Sequence, residues 1–140
     1  VLNNESIRII IAESSSKYLF VDSTSLATNT WHHIAATYDG SNTIGGLNLY
    51  INSSLDNNTN SAGATITTIT STDSLKIGAY TSGHYFDGKI DEVAIFNYAL
   101  NAGQIYNDIY LPTKSGTGLT ANLDNNPNLT APVAWYRMGD

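Results

Sequence analysis

Gly88-Lys89-Ile90-Asp91-Glu92-Val93-Ala94-Ile95-Phe96-Asn97-Tyr98-Ala99-Leu100 is the stretch on which the reading of this chain turns. It predicts a strand that runs into a short helix. Side chains of a strand alternate between two faces. Asp91, Val93 and Ile95 are therefore expected on one face, and Ile90, Glu92, Ala94 and Phe96 on the other. Both faces carry apolar residues, which predicts a strand covered on both sides. Each also carries one carboxylate, and a buried carboxylate needs a cation, an N–H, a hydroxyl or a metal. Asp91 and Glu92 are the first residues to follow.

Outward from that stretch, β-signals dominate. Residues 7–13 hold a β-branched run, and 17–22 form the return strand of a hairpin across Ser14 to Ser16. Residues 31–38 predict another strand, closed by Asp39-Gly40, where glycine takes positive φ and aspartate bonds its own backbone. Residues 47–52 predict a further strand, with Ser53-Ser54 expected to give a turn looser than a two-residue hairpin. A polar loop over 54–63, a weak edge strand over 64–70 and a strand over 75–79 follow. Asn101 and Gln104 have the spacing of a capping box, starting a short helix that ends near Tyr110, with Pro112 as its stop.

Three of these segments carry a resemblance. Residues 88–100 with Gln104-Ile105, the phrase Trp31-His32-His33-Ile34-Ala35-Ala36-Thr37-Tyr38-Asp39-Gly40, and Leu47-Asn48-Leu49-Tyr50-Ile51-Asn52 resemble, in order, motifs of the laminin-G-like, concanavalin A-like lectin modules. The resemblance implies an all-β, two-sheet antiparallel jelly-roll sandwich with one short helix near 101–109, and segments around Trp31, Tyr50 and Ile95 lying side by side. It covers roughly residues 5–110 and speaks to fold more than to function. The family's N-terminal strands are missing from the pattern. The expected organisation is a module over 1–111, a linker rich in Gly, Pro and Asn over 112–131, and a strand over 132–140. That last segment, Val133-Ala134-Trp135-Tyr136-Arg137-Met138, resembles the opening of such a module. It either begins a following one or completes this one, and is too apolar to hang in water.

Composition narrows the classes. The chain has 140 residues, enough for one domain, and 41% are hydrophobic. Only 13% are charged, so Asn, Thr and Ser build the polar surface. Net charge is −6 with six Lys and Arg in all. Capture of nucleic acid or of an anionic membrane needs clustered cations, so neither is an expected partner. No apolar run approaches a membrane span, and the absence of cysteine excludes disulfides and thiolate metal sites.

Candidate chemistry is limited. The resemblance implies Asp91 as a ligand for a structural Ca2+, which wants six to eight oxygens; the plainer reading is a carboxylate satisfied by N–H groups or a hydroxyl. His32 and His33 are neighbours on a strand, point apart and cannot chelate one ion. Retaining glycosidases need two carboxyls roughly 5–5.5 Å apart, and the adjacent Asp91 and Glu92 face opposite ways, so no enzyme is expected. Glycan binding remains, because sugar sites use aromatic faces with polar neighbours. Tyr80, His84, Tyr85 and Asp87 gather in one loop and are the candidate ligand contacts. The expected function is a non-enzymatic binding or adhesion module on an extracellular, cell or virion surface, taking a glycan or cell-surface polysaccharide. The alternative is a structural decoration, fibre or filament subunit whose strands pair with neighbouring copies or modules.

Overall fold

The structure is a computed structural model that describes residues 5–70, 74–79, 85–114 and 122–138. It is mostly β. The described strands are β1 (Arg8–Ala12), β2 (Tyr18–Asp22), β3 (Ile34–Tyr38), β4 (Leu47–Ile51), β5 (Ser54–Leu55), β6 (Thr59–Ala62), β7 (Val93–Ile95) and β8 (Ala134–Tyr136). They form three small antiparallel sheets ordered β1-β2-β6, β3-β4-β5 and β7-β8.

The β1–β2 hairpin follows the predicted alternation. Its end is pinned by the cross-strand pair Arg8 and Asp22, whose fork–fork bonds are 2.7 and 2.8 Å long. The same guanidinium lies 3.9 Å from the Phe20 ring centroid, so one side chain serves a carboxylate and an aromatic face together. Leu19 and Val21 point the other way and are buried. They meet Leu47, Leu49 and Ile51 of β4 and Ile66, which makes the first sheet and the β3-β4-β5 sheet two layers around one core. Each such side chain contributes about 1.5–3 kcal/mol by leaving water. The opposite face of β4 carries Tyr50 into a second cluster with Leu100 and Ile105, joined by Ala35, Phe96 and Ile109.

The helical part also begins as expected. Gln104 N donates to Asn101 Oδ1 at 2.9 Å and Asn101 N to Gln104 Oε1 at 3.0 Å, a reciprocal capping box. Pro112, however, does not stop the helix. α1 (Ala102–Gln104) passes into a π-helical stretch (Ile105–Tyr110) and on into α2 (Leu111–Lys114). The wider turn shifts the hydrogen bonds by one residue, with Leu111 N donating to Tyr106 O.

Several strand expectations need correction. β3 begins at Ile34, leaving Trp31 outside the sheet and 65% exposed. Residues 64–70 form no strand, and β6 pairs with β2 in their place. Part of the reason is long-range: Glu13 Oε2 accepts from Thr67 N at 2.7 Å and Thr68 N at 3.3 Å, taking amides that a ladder would need. Over 75–79 the only described pairing is a single bridge, Ala79 to Tyr85. The turn after β4 is tight, not loose. Asn52 and Ser53 both have positive φ (51° and 67°) and Ile51 pairs directly with Ser54, the geometry of a two-residue type I′ hairpin. β7 is cut to three residues because Glu92 sits at φ 53°, which breaks the two-face alternation expected for 88–96. Of the three segments expected side by side, β3 and β4 are neighbours, whereas β7 pairs with β8 and faces β3 across a cleft.

Candidate functional site

That cleft is a feature that the sequence did not announce. Its volume is about 590 Å³, and it is walled by residues 33–38 on one side and 94–100 on the other, with Glu92, Ile109 and Leu123. Alternate side chains of a strand point to opposite faces, so a wall made of six consecutive residues is the edge of β3, not one of its faces. Tyr38, Phe96 and Tyr98 supply aromatic surface, and Glu92 is the only carboxylate among the lining residues.

Asp91 and Glu92, the two carboxylates raised by the sequence, share a different task. Glu92 Oε2 accepts from Trp135 Nε1 at 2.6 Å and Glu92 Oε1 from Arg137 Nε at 3.3 Å. Asp91 Oδ1 accepts from Glu92 N at 2.9 Å and Met138 N at 3.1 Å. The Arg137 guanidinium also sits 4.9 Å from the Trp135 ring. Both acids thus hold the C-terminal segment, with β8 laid antiparallel on β7. Trp135 and Arg137 were missed as the partners of Glu92. The available signal was the pairing need of Glu92 beside an apolar Trp-Tyr segment that had to dock somewhere. Asp91 is a carboxylate satisfied in part by backbone N–H groups. One oxygen already receives two N–H groups, and among the described residues no three His, Cys, Asp or Glu side chains converge.

His33 lines the cleft with its ring 5.7 Å from Tyr110, and its buried Nδ1 has no hydrogen-bond partner among the described residues. Burial pushes its pKa below the usual imidazole value. His32 is engaged elsewhere, with Nε2 at 2.9 Å from Ala27 O.

Of the four expected ligand contacts, Tyr80 and His84 lie outside the described residues. Tyr85 is 71% exposed, and Asp87 is exposed beside the exposed ring of Phe86. The backbone there is tied to the module by Phe86 N donating to Gly78 O at 2.8 Å.

Comparison with known proteins adds one finding. A family model described as the concanavalin A-like lectin/glucanases superfamily, of the laminin-G type, matches residues 1–106. No curated protein and no solved structure matches the chain. The match spans most of the chain, and the mostly β architecture with small antiparallel sheets is consistent with it. The chain belongs to the concanavalin A-like lectin/glucanase superfamily, as a laminin-G-like module.

Proposed function

We propose that this module is a non-enzymatic binding domain of an extracellular, cell or virion surface, with carbohydrate as its ligand. The observation that carries the reading is the surface around Tyr85: a phenol ring 71% exposed, next to Phe86 and Asp87. An aromatic face of this kind offers C–H stacking to a sugar ring, and a neighbouring carboxylate accepts from its hydroxyls. Membership of a lectin-containing superfamily supports the same reading. Hydrolysis is disfavoured because Glu92, the one acid on the cleft, is held by Trp135 and Arg137, whereas glycosidases use a free pair.

A glycan array probed with the 140-residue chain tests this. The expected result is a defined set of polysaccharide hits that Tyr85→Ala abolishes and Asp87→Asn weakens. Hits that survive Tyr85→Ala, or an array with none, would overturn the reading.

A further inference from the structure

The helix that starts at the capping box is anchored unevenly. Ile105 and Asp108 are buried, and Asp108 Oδ1 accepts from Asn128 Nδ2 at 2.7 Å. Past the π-helical stretch the hold weakens. α2 buries no residue, and Leu111 is 39% exposed. A π-helical turn inside a helix is a usual place for it to bend. At that end the Tyr110 ring lies against His33, at the leading end of β3 and on the wall of the cleft.

The chemistry of His33 makes this contact conditional. Its Nδ1 is closed off from solvent by the module itself and has no hydrogen-bond partner among the described residues. The neutral ring accommodates this by keeping its proton on Nε2 and leaving Nδ1 bare. An imidazolium carries N–H on both nitrogens, so one buried donor would point at no acceptor. The surrounding groups are committed elsewhere. On the strand side His32 Nε2 is 2.9 Å from Ala27 O, and Asn52 Oδ1 accepts from His33 N at 3.0 Å. On the helix side Asp108 is turned to Asn128, and Lys114 Nζ lies 5.4 Å from the centroid of the same Tyr110 ring. A cation therefore already uses that ring. On the cleft wall Glu92 is held by Trp135 and Arg137. Nδ1 gains an acceptor, water, once the helix end moves aside.

We propose that the His33–Tyr110 contact is an acid-sensitive latch: protonation of His33 at Nδ1 releases residues Tyr110 to Lys114 from β3, and they swing on the π-helical stretch and open the cleft at its His33 end. The capping box and Ile105 keep the first part of the helix in place. Neutral pH closes the latch and mild acid opens it, because burial holds the imidazole below its ordinary pKa while the helix end is docked.

NMR on the 140-residue chain, from about pH 7.5 to about pH 5.5, tests the latch above the range where carboxylates titrate. The His33 ring is expected to titrate below an ordinary imidazole. Amide protection factors at Tyr110 and Leu111 should fall about fivefold or more across that interval, while those of β1 and β2 stay within about twofold. His33→Phe keeps a ring against Tyr110 and takes no proton, so protection at those two amides should become independent of pH; His33→Gln gives a second neutral variant. The chain has three histidines, and His32→Gln or His84→Gln should leave the response intact. Four outcomes would overturn the proposal: a His33 ring that titrates at or above the ordinary value; protection at Tyr110 and Leu111 that holds in acid; a loss that persists in both His33 variants; or equal loosening of β1 and β2.

Discussion

Ser53 stands at φ 67° in a position where asparagine-glycine is the favoured turn pair. A left-handed conformation costs a residue with a Cβ roughly 1–2 kcal/mol, and glycine's extra freedom when unfolded returns part of that. Ser53→Gly is expected to stabilise the module by about 0.5–1 kcal/mol, read as a higher urea midpoint at constant m value. Glu13 gives a pH prediction. Lys17 Nζ at 2.8 Å, followed by the amide of Thr67, holds its pKa at about 2 against an ordinary 4.5. The folded value is depressed, so the stabilisation is complete above pH 4.5 and is lost as pH falls towards 2. Glu13→Gln should flatten the acid limb of a stability–pH curve in that window; an unchanged limb would count against the clasp. His33 acts in the same direction at higher pH. Burial holds its folded pKa below the ordinary imidazole value of 6.5, so protonation favours the unfolded chain once pH drops under that value.

Among elements, the β7–β8 ribbon rests on very few residues. Trp135→Phe keeps the ring and removes the Nε1 donor to Glu92, leaving a half-buried carboxylate oxygen without that bond. A loss of about 1–2 kcal/mol is expected, with faster amide exchange over 93–95 and 134–136 and little change in β1 and β2. Equal loosening everywhere would show that the ribbon is not a separate unit. The elements also differ in how readable they were. β1 and β2 were legible because their alternation is local and one face of each packs on a single core. The capping box was legible because Asn101 and Gln104 satisfy each other within one turn. The 64–70 strand was misread because its amides belong to Glu13, more than fifty positions away in sequence. β7 was overextended because no local signal marks a left-handed glutamate; the contacts that hold Glu92 there come from the far end of the chain. The glycan loop and the cleft differ similarly. Tyr85 and Asp87 were visible as a composition, whereas the cleft depends on which strands lack neighbours, and no stretch of sequence states that.

At the scale of the molecule, β4 is the common wall. Leu47, Leu49 and Ile51 face the cluster shared with β2, and Tyr50 faces the cluster shared with the helix. Leu49→Ala is expected to cost about 2–5 kcal/mol and to be seen in thermal melts as one sharp transition at a lower midpoint. Two separated transitions would mean that the layers melt independently. Leu55→Ala, on the exposed neighbouring strand, should shift the melt by less than about 0.5 kcal/mol. A divider shared in this way constrains how the module can evolve. Adjacent positions along β4 answer to different neighbours, yet they ride on one backbone whose slide by one residue would trade Leu49 for Asn48 on one side and Tyr50 for Leu49 on the other. Drift on either side must then be absorbed without moving that backbone, and paired changes at Leu49 and Tyr50 will be tolerated or rejected together, not one at a time.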